Sequence, residues 1–273
     1  MKLLTTNTLM VLLILISGYG YIASCTHDDI VPPAQANPTP VITRGENVHL
    51  PNATGVADGD TTKWKLDKAH SSVLWSTAYV GAAGLLTGRF NQFGMHDVTN
   101  AKMLKYPTPS RGQVLPDTSW AFYENDPSKI YFNGYVQMNT SNTGEPGRDS
   151  GCILGTGYYN TVKIIPGYQN LEINNLAKIK TTKVEFDPLS NDYIVTFDFI
   201  WQGSLASPLT QSIVGRLKYI PKAAVKDAVT GNVLYSVFGL QLNFQFDCRD
   251  FGVTSTSVAD VIDIECNMNF NNK

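Results

Sequence analysis

The chain has 273 residues, 43% of them hydrophobic and 16% charged, with a formal net charge of −2. That balance excludes a nucleic-acid-binding protein, because no excess of lysine and arginine is present to neutralise phosphates. The length and apolar content suffice for one large buried core or two small ones.

In chain order, the first element is the apolar run Leu9–Ser17, followed by Ile22-Ala23-Ser24-Cys25. The run is too short for the ~20 residues that span a bilayer, and small residues ahead of a single cysteine suit a cleavage pocket. The pattern predicts a lipoprotein signal peptide over 1–24, cut before a Cys25 that carries lipid. An uncleaved anchor and a plain secretory signal are the alternatives, and each takes the protein out of the cytoplasm. The expected location is the cell envelope, lipid-anchored through Cys25 to the outer membrane, at its periplasmic face or at the cell surface. Thr26-His27-Asp28-Asp29 resembles an acidic tag for export to the outer face, and it reads equally well as a polar linker.

Residues 25–62 carry Pro32, Pro33, Pro38, Pro40 and Pro51 among small and polar residues. Such a segment buries too little apolar surface to fold alone, so a disordered tether is expected. From Trp64 onward the pattern has period two, and residues 63–273 read as one β-barrel domain. Tyr193, Val195, Phe197, Phe199 and Trp201 share one strand face. Leu242, Phe244, Phe246 and Cys248 share another, and Ile262, Ile264, Cys266, Met268 and Phe270 a third. Weaker alternation runs through 72–80, 130–139, 178–186 and 213–220. These are antiparallel strands with one wet and one dry face. The predicted fold is all-β, an antiparallel lipocalin-like β-barrel of about eight strands, because closure removes exposed edges. Two gaps break the rhythm: a long loop over 100–118, and a crossover over 141–170 expected to hold one short helix.

The inward set is rich in aromatics. Val73, Trp75, Phe132, Val136, Phe186, Val195, Phe197, Phe199, Phe244, Phe246, Ile262 and Ile264 are the expected lining residues of the interior. They either pack into a solid core or enclose a hollow for an apolar ligand. Cys248 and Cys266 both fall in the apolar register of the last two strands. With a turn near Ser255–Asp260 they lie roughly opposite, either bonded as a disulfide or as two buried thiols.

Asp67, His70 and Ser71 superficially suggest a hydrolase. Neighbours on one extended segment cannot all face one point, however, and no nucleophile-elbow glycines are nearby. Asp67 and His70 are instead expected to form a polar pair at the barrel mouth, in a group with Arg89, Arg148 and Asp149. His96 reads as a loop histidine, and Arg249-Asp250 as a brace for the last hairpin. No catalytic residue, no metal site and no cofactor is expected, and the protein is not read as an enzyme.

Several stretches, taken in order, together form a recognisable set. They are Trp64-Lys-Leu-Asp67-Lys-Ala-His70-Ser71-Ser72-Val73, Gly88-Arg89-Phe90-Asn-Gln-Phe93, and Thr140 with Arg148-Asp149 and Gly157-Tyr158-Tyr159. Gly203-Ser-Leu205 through Lys218-Tyr219 and Phe244-x-Phe246-x-x-Arg249-Asp250-Phe251-Gly252-Val253 complete the set, which spans about 64–270. The set resembles the YceI-like polyisoprenoid-binding family, and the resemblance implies an elongated antiparallel barrel with an apolar tunnel for a long-chain lipid such as a polyisoprenoid, a quinone or a fatty-acyl molecule. The expected function is therefore a lipid-binding lipoprotein acting as carrier or store, whose partners are that lipid and the membrane. The alternative is a surface interaction protein with a solid barrel and partner-binding loops, centred on an apolar patch at Trp120-Ala-Phe-Tyr123.

Overall fold

Period-two alternation in the sequence becomes eight long antiparallel strands in the computed structural model. It describes residues 41–42, 48–49, 64–79, 84–95, 103–105, 112–114, 120–144, 152–153, 158–159, 168–170, 176–256 and 258–273. The signal segment, Cys25, His96, Arg148 and Asp149 lie outside the described residues.

The strands are β1 (Ser72–Tyr79), β2 (Gly84–Phe90), β3 (Tyr131–Gln137) and β4 (Leu176–Asp187). They continue with β5 (Asp192–Trp201), β6 (Leu209–Lys226), β7 (Val233–Asp247) and β8 (Val261–Asn271). Strands β3 to β8 each pair antiparallel with the next, and β8 pairs with β1, setting Ile264 opposite Trp75 and Cys266 opposite Val73. β1 pairs with β2.

The ring closes between β2 and β3. Phe90 faces Ser141 and Arg89 faces Asn142 on one side of a bend. On the other side Phe93 faces Val136 and Gly94 faces Tyr135. Thr140 staples the bend: its hydroxyl donates to the Gln137 carbonyl at 2.7 Å and accepts the Gln92 N–H at 3.0 Å. Its own carbonyl accepts the Asn91 N–H at 3.0 Å. Closure satisfies backbone groups that an open edge would leave to other chains.

Alternation decides which side chains face inward. Along β5, Val195, Phe197 and Trp201 are fully buried while their neighbours are half-exposed. Two clusters of rings interlock toward opposite ends of β7. One joins Trp64, Trp120 and Phe270 around Phe238, with Phe238 stacked on Phe270 at 4.6 Å. The other joins Phe199, Phe246, Trp201 and Phe251. Two glycines permit close approaches. A Cβ on Gly88 would sit 2.6 Å from the Trp75 indole, and one on Gly203 (φ +57°) would sit 2.1 Å from the Phe251 carbonyl oxygen.

Three segments outside the regular alternation carry short strands. In the 141–170 crossover the described residues include short strands at Ser141–Asn142, Cys152–Ile153, Tyr158–Tyr159 and Tyr168–Asn170, and the rest of the stretch, where the short helix was expected, lies outside the described residues; the helical turns among the described residues are 3₁₀ turns at Pro127–Lys129 and Met138–Thr140. The 100–118 loop contains Met103–Lys105, paired with Tyr168–Asn170, and Gly112–Val114, paired with Lys65–Asp67. Within the expected tether, Val41–Ile42 pairs with Ala223–Ala224, and Val48–His49 pairs with Ala121–Phe122. The cause is strand length. β6 outruns β5, so its far end offers a backbone edge that a nearby extended segment can cover.

Candidate functional site

Between the two ring clusters the interior keeps an apolar cavity of about 80 Å³. Its wall combines inward residues of the regular strands (Val73, Leu240, Leu242, Ile264) with residues of the closure seam (Phe93, Met95, Met138). Cys266 and Met268 complete one side, and Gly94 and Gly134 lie close together at the seam, where a Cβ on Gly134 would sit 3.7 Å from the Gly94 carbonyl oxygen. Among the described residues no charged side chain lines it.

Of the residues expected to line the interior, Val73, Phe132, Val136, Phe199, Phe244, Phe246 and Ile264 do so. Trp75, Val195, Phe197 and Ile262 are buried in the packing beside it. The Trp75 indole N–H donates to the Ser141 hydroxyl at 2.7 Å, tying β1 to the seam. Phe186 does not belong to the set, being 44% exposed. It stands one pair from the β4–β5 turn, with Tyr193 against its ring at 5.3 Å, so it projects past the end of the core. The expected hollow also shrinks. Interlocked rings fill most of the interior, and the cavity is well below the ~300–1,000 Å³ of ordinary ligand pockets. Sequence reasoning missed Phe93, Met95 and Met138 because they sit in bends where period two lapses.

Asp67 and His70 meet as expected, with His70 Nδ1 2.8 Å from Asp67 Oδ2. The same carboxylate accepts the Ala69 N–H at 3.2 Å and the Asn271 side-chain amide at 3.1 Å. Ser71 is turned away from His70. Its hydroxyl donates to the Asp67 carbonyl at 2.7 Å and accepts the Asn269 N–H at 2.9 Å, so no triad is assembled. Arg89 does not join this pair. Gly88 and Phe90 take the inward register, which turns Arg89 to the opposite, exposed face. Lys68, unmarked in the sequence, is the charged group placed against the cavity wall: its ammonium lies 4.9 Å from the centroid of the Phe93 ring. Burial pushes the Lys68 amine down to about 8.

The cysteine expectation is corrected by register. Cys266 faces Leu242, whereas the Cys248 N–H donates to Asp260, placing the thiols about 20 Å apart along the hairpin. Both are free. Burial pushes the Cys266 thiol up to about 12 and raises Cys248 as well. The described residues 248–256 and 258–260 form a loop that begins earlier than the turn expected near Ser255–Asp260. Arg249 holds it, donating to the Asp260 carboxylate at 2.7 Å and to the carbonyls of Val253, Ser255 and Val258. The expected brace at Arg249 is thus present, and Asp250 accepts Gln211 at 2.7 Å. The expected surface patch at Trp120–Tyr123 is also corrected, since all four residues are buried. Pairing of Trp120 and Ala121 with β3 draws this segment into the core.

A second concavity, of about 1290 Å³, lies on the face opposite the core. Its floor carries Arg89, Glu265, Asn243 and Arg216, which are register neighbours through Leu74. Arg216 pairs with Asp187 at 2.7 Å and holds that carboxyl below its usual range. Gln245 donates to Asp263 at 2.6 Å.

No protein-family model matches the chain, and no curated protein matches it. Among solved structures, it is similar to YceI proteins. The Campylobacter jejuni YceI protein is 15% identical with a TM-score of 0.39, over 69% of this chain and 85% of that one. A polyisoprenoid-binding domain from Saccharophagus degradans, implicated in plant cell wall breakdown, is 10% identical with a TM-score of 0.37. That match covers 77% of this chain and 98% of the domain. At these scores the YceI likeness carries no argument of its own, and the barrel stands on its strand ladder.

Proposed function

We propose that this protein binds the apolar part of a long-chain lipid, of polyisoprenoid, quinone or fatty-acyl type, inside its barrel. It acts as a carrier or store held at the cell envelope by an acylated Cys25. The observation that carries the reading is the interior cavity, whose wall, among the described residues, has no charged side chain and includes Met95, Met138 and Met268. Magnitudes set what the lipid has to do. Each buried methylene is worth ~0.8 kcal/mol, so micromolar retention takes about ten of them. The resting cavity is smaller than that, so a chain enters by displacing side chains. Met95, Met138 and Met268 are unbranched and repack at least cost.

The test is titration of the delipidated full-length protein with a fluorescent long-chain probe. Saturable, stoichiometric binding is expected, and Ala177→Leu, which fills the cavity from its wall, weakens it about tenfold or more. A probe that does not bind, or that binds the filled variant equally well, contradicts the reading. The anchor is supported by the Leu9–Cys25 pattern. Radiolabelled palmitate fed to the host should enter the wild-type chain and not Cys25→Ala.

The interlocked rings favour a second reading, a solid barrel that serves as a scaffold for a partner. Its binding surface would be the polar groove around Arg89 and Arg216, because Trp120–Tyr123 is buried. This reading predicts no lipid cargo at all.

A further inference from the structure

Exposed apolar side chains gather at one end of the barrel. Phe186 and Leu189 stand at the β4–β5 turn, and Ile220, Val229, Val233 and Leu234 on the β6–β7 hairpin. The hairpin reaches furthest. β6 makes its last pair with β5 at Leu217, and β7 its last pair with β8 at Val237. Past Val237 the two hairpin strands run on alone, with Val225 opposite Tyr235 and Lys226 opposite Val233. At ~3.3 Å per residue this carries Val233 about 13 Å beyond the last β8 pair. The turn spends its polar groups on itself: the Asp227 carboxylate accepts the N–H groups of Val229 and Thr230 and the Thr230 hydroxyl. Val229 is left 93% exposed at the tip, with Val233 and Leu234 each 58% exposed behind it. Apolar side chains held together in water on a projecting element mark a surface built to be covered.

We infer that the β6–β7 hairpin docks into a lipid bilayer, with Val229, Val233 and Leu234 seated among the upper acyl chains. Two observations favour a membrane as the occupant. The chain joins the barrel at this hairpin, where Val41–Ile42 pairs with Ala223–Ala224. The roughly 16 residues from Cys25 to Val41 span at most ~55 Å when fully extended. An acylated Cys25 thus delivers the hairpin to the bilayer, a step that rests on the anchored reading above. The side chains behind the tip also suit the boundary between membrane and water. Tyr235 carries the Lys273 ammonium 5.4 Å from its ring centroid, and Lys226 ends β6. An amphipathic ring and cations belong at head-group level, behind an apolar wedge.

The experiment reads depth at single positions. Trp64, Trp75, Trp120 and Trp201 are all buried, so the emission that Val229→Trp adds comes from the surface. The full-length protein from its own host is reconstituted into vesicles of phosphatidylcholine and phosphatidylglycerol, with and without bromine on the acyl chains. Bromination is expected to remove about half of the emission added by Val229→Trp, as seating ~5–10 Å deep implies. Ala206→Trp, in the exposed β5–β6 turn at the opposite end of the barrel, should lose almost none. Equal quenching at the two positions, or none at Val229→Trp in a chain that floats with the vesicles, overturns the docking and leaves the acylation of Cys25 and the binding of a lipid inside the barrel untouched. Emission from Val229→Trp that shifts to the blue with rising protein concentration, without lipid, assigns the tip to a second copy of the chain and overturns it as well. A chain that does not float with the vesicles removes the anchored reading, and this inference with it.

Discussion

Lys68 is the residue at which burial and charge bear most directly on stability. Its amine titrates near 8 in the folded chain against 10.5 in its ordinary state. Between those values the unfolded chain binds more protons, so stability rises with pH across the window. Below about 8 the full cost of the buried ammonium is present. Lys68→Met should therefore be more stable than wild type at pH 7, with the gap narrowing toward pH 10.5. Urea denaturation at both ends of that range checks this, and a gap that widens with pH contradicts it. Gln137→Met removes an unsatisfied buried amide at similar volume. It should gain about 1–3 kcal/mol in stability, measured by urea denaturation, and an unchanged or lower stability contradicts this. Nothing in the sequence marked Lys68 or the glutamines, because their significance comes from burial, which composition does not encode.

Among the elements, β5, β7 and β8 were legible from alternation alone, since aromatic and aliphatic residues hold one parity without interruption. The closing seam was not. Residues 91–95 and 138–140 bend, parity lapses there, and the pairing of 90 with 141 joins segments far apart in sequence. The same limit misplaced the cysteines. Alternation gave their face correctly but not their register, which the 248–260 loop sets through Arg249. Replacing Arg249 by Met should leave three loop carbonyls without their donor and cost about 2–3 kcal/mol. Protease cleavage between 249 and 260 should then outpace cleavage elsewhere. A variant as stable and as resistant as wild type would show that the loop is held by Phe251 and Val253 instead.

For the whole molecule, the expected barrel is present, but its interior is mostly occupied. The sequence listed inward rings without saying whether they touch, and volume is a property of the assembled ring of strands. A closed ladder with a small apolar centre is consistent with the proposed binding of one apolar chain. The most direct measurement is native mass spectrometry of the full-length protein taken from its own host membranes. A lipid adduct that survives gentle ionisation and leaves on unfolding, at one per chain, is the predicted result. A bare polypeptide mass, unchanged after incubation with long-chain acids and prenyl phosphates, would contradict it.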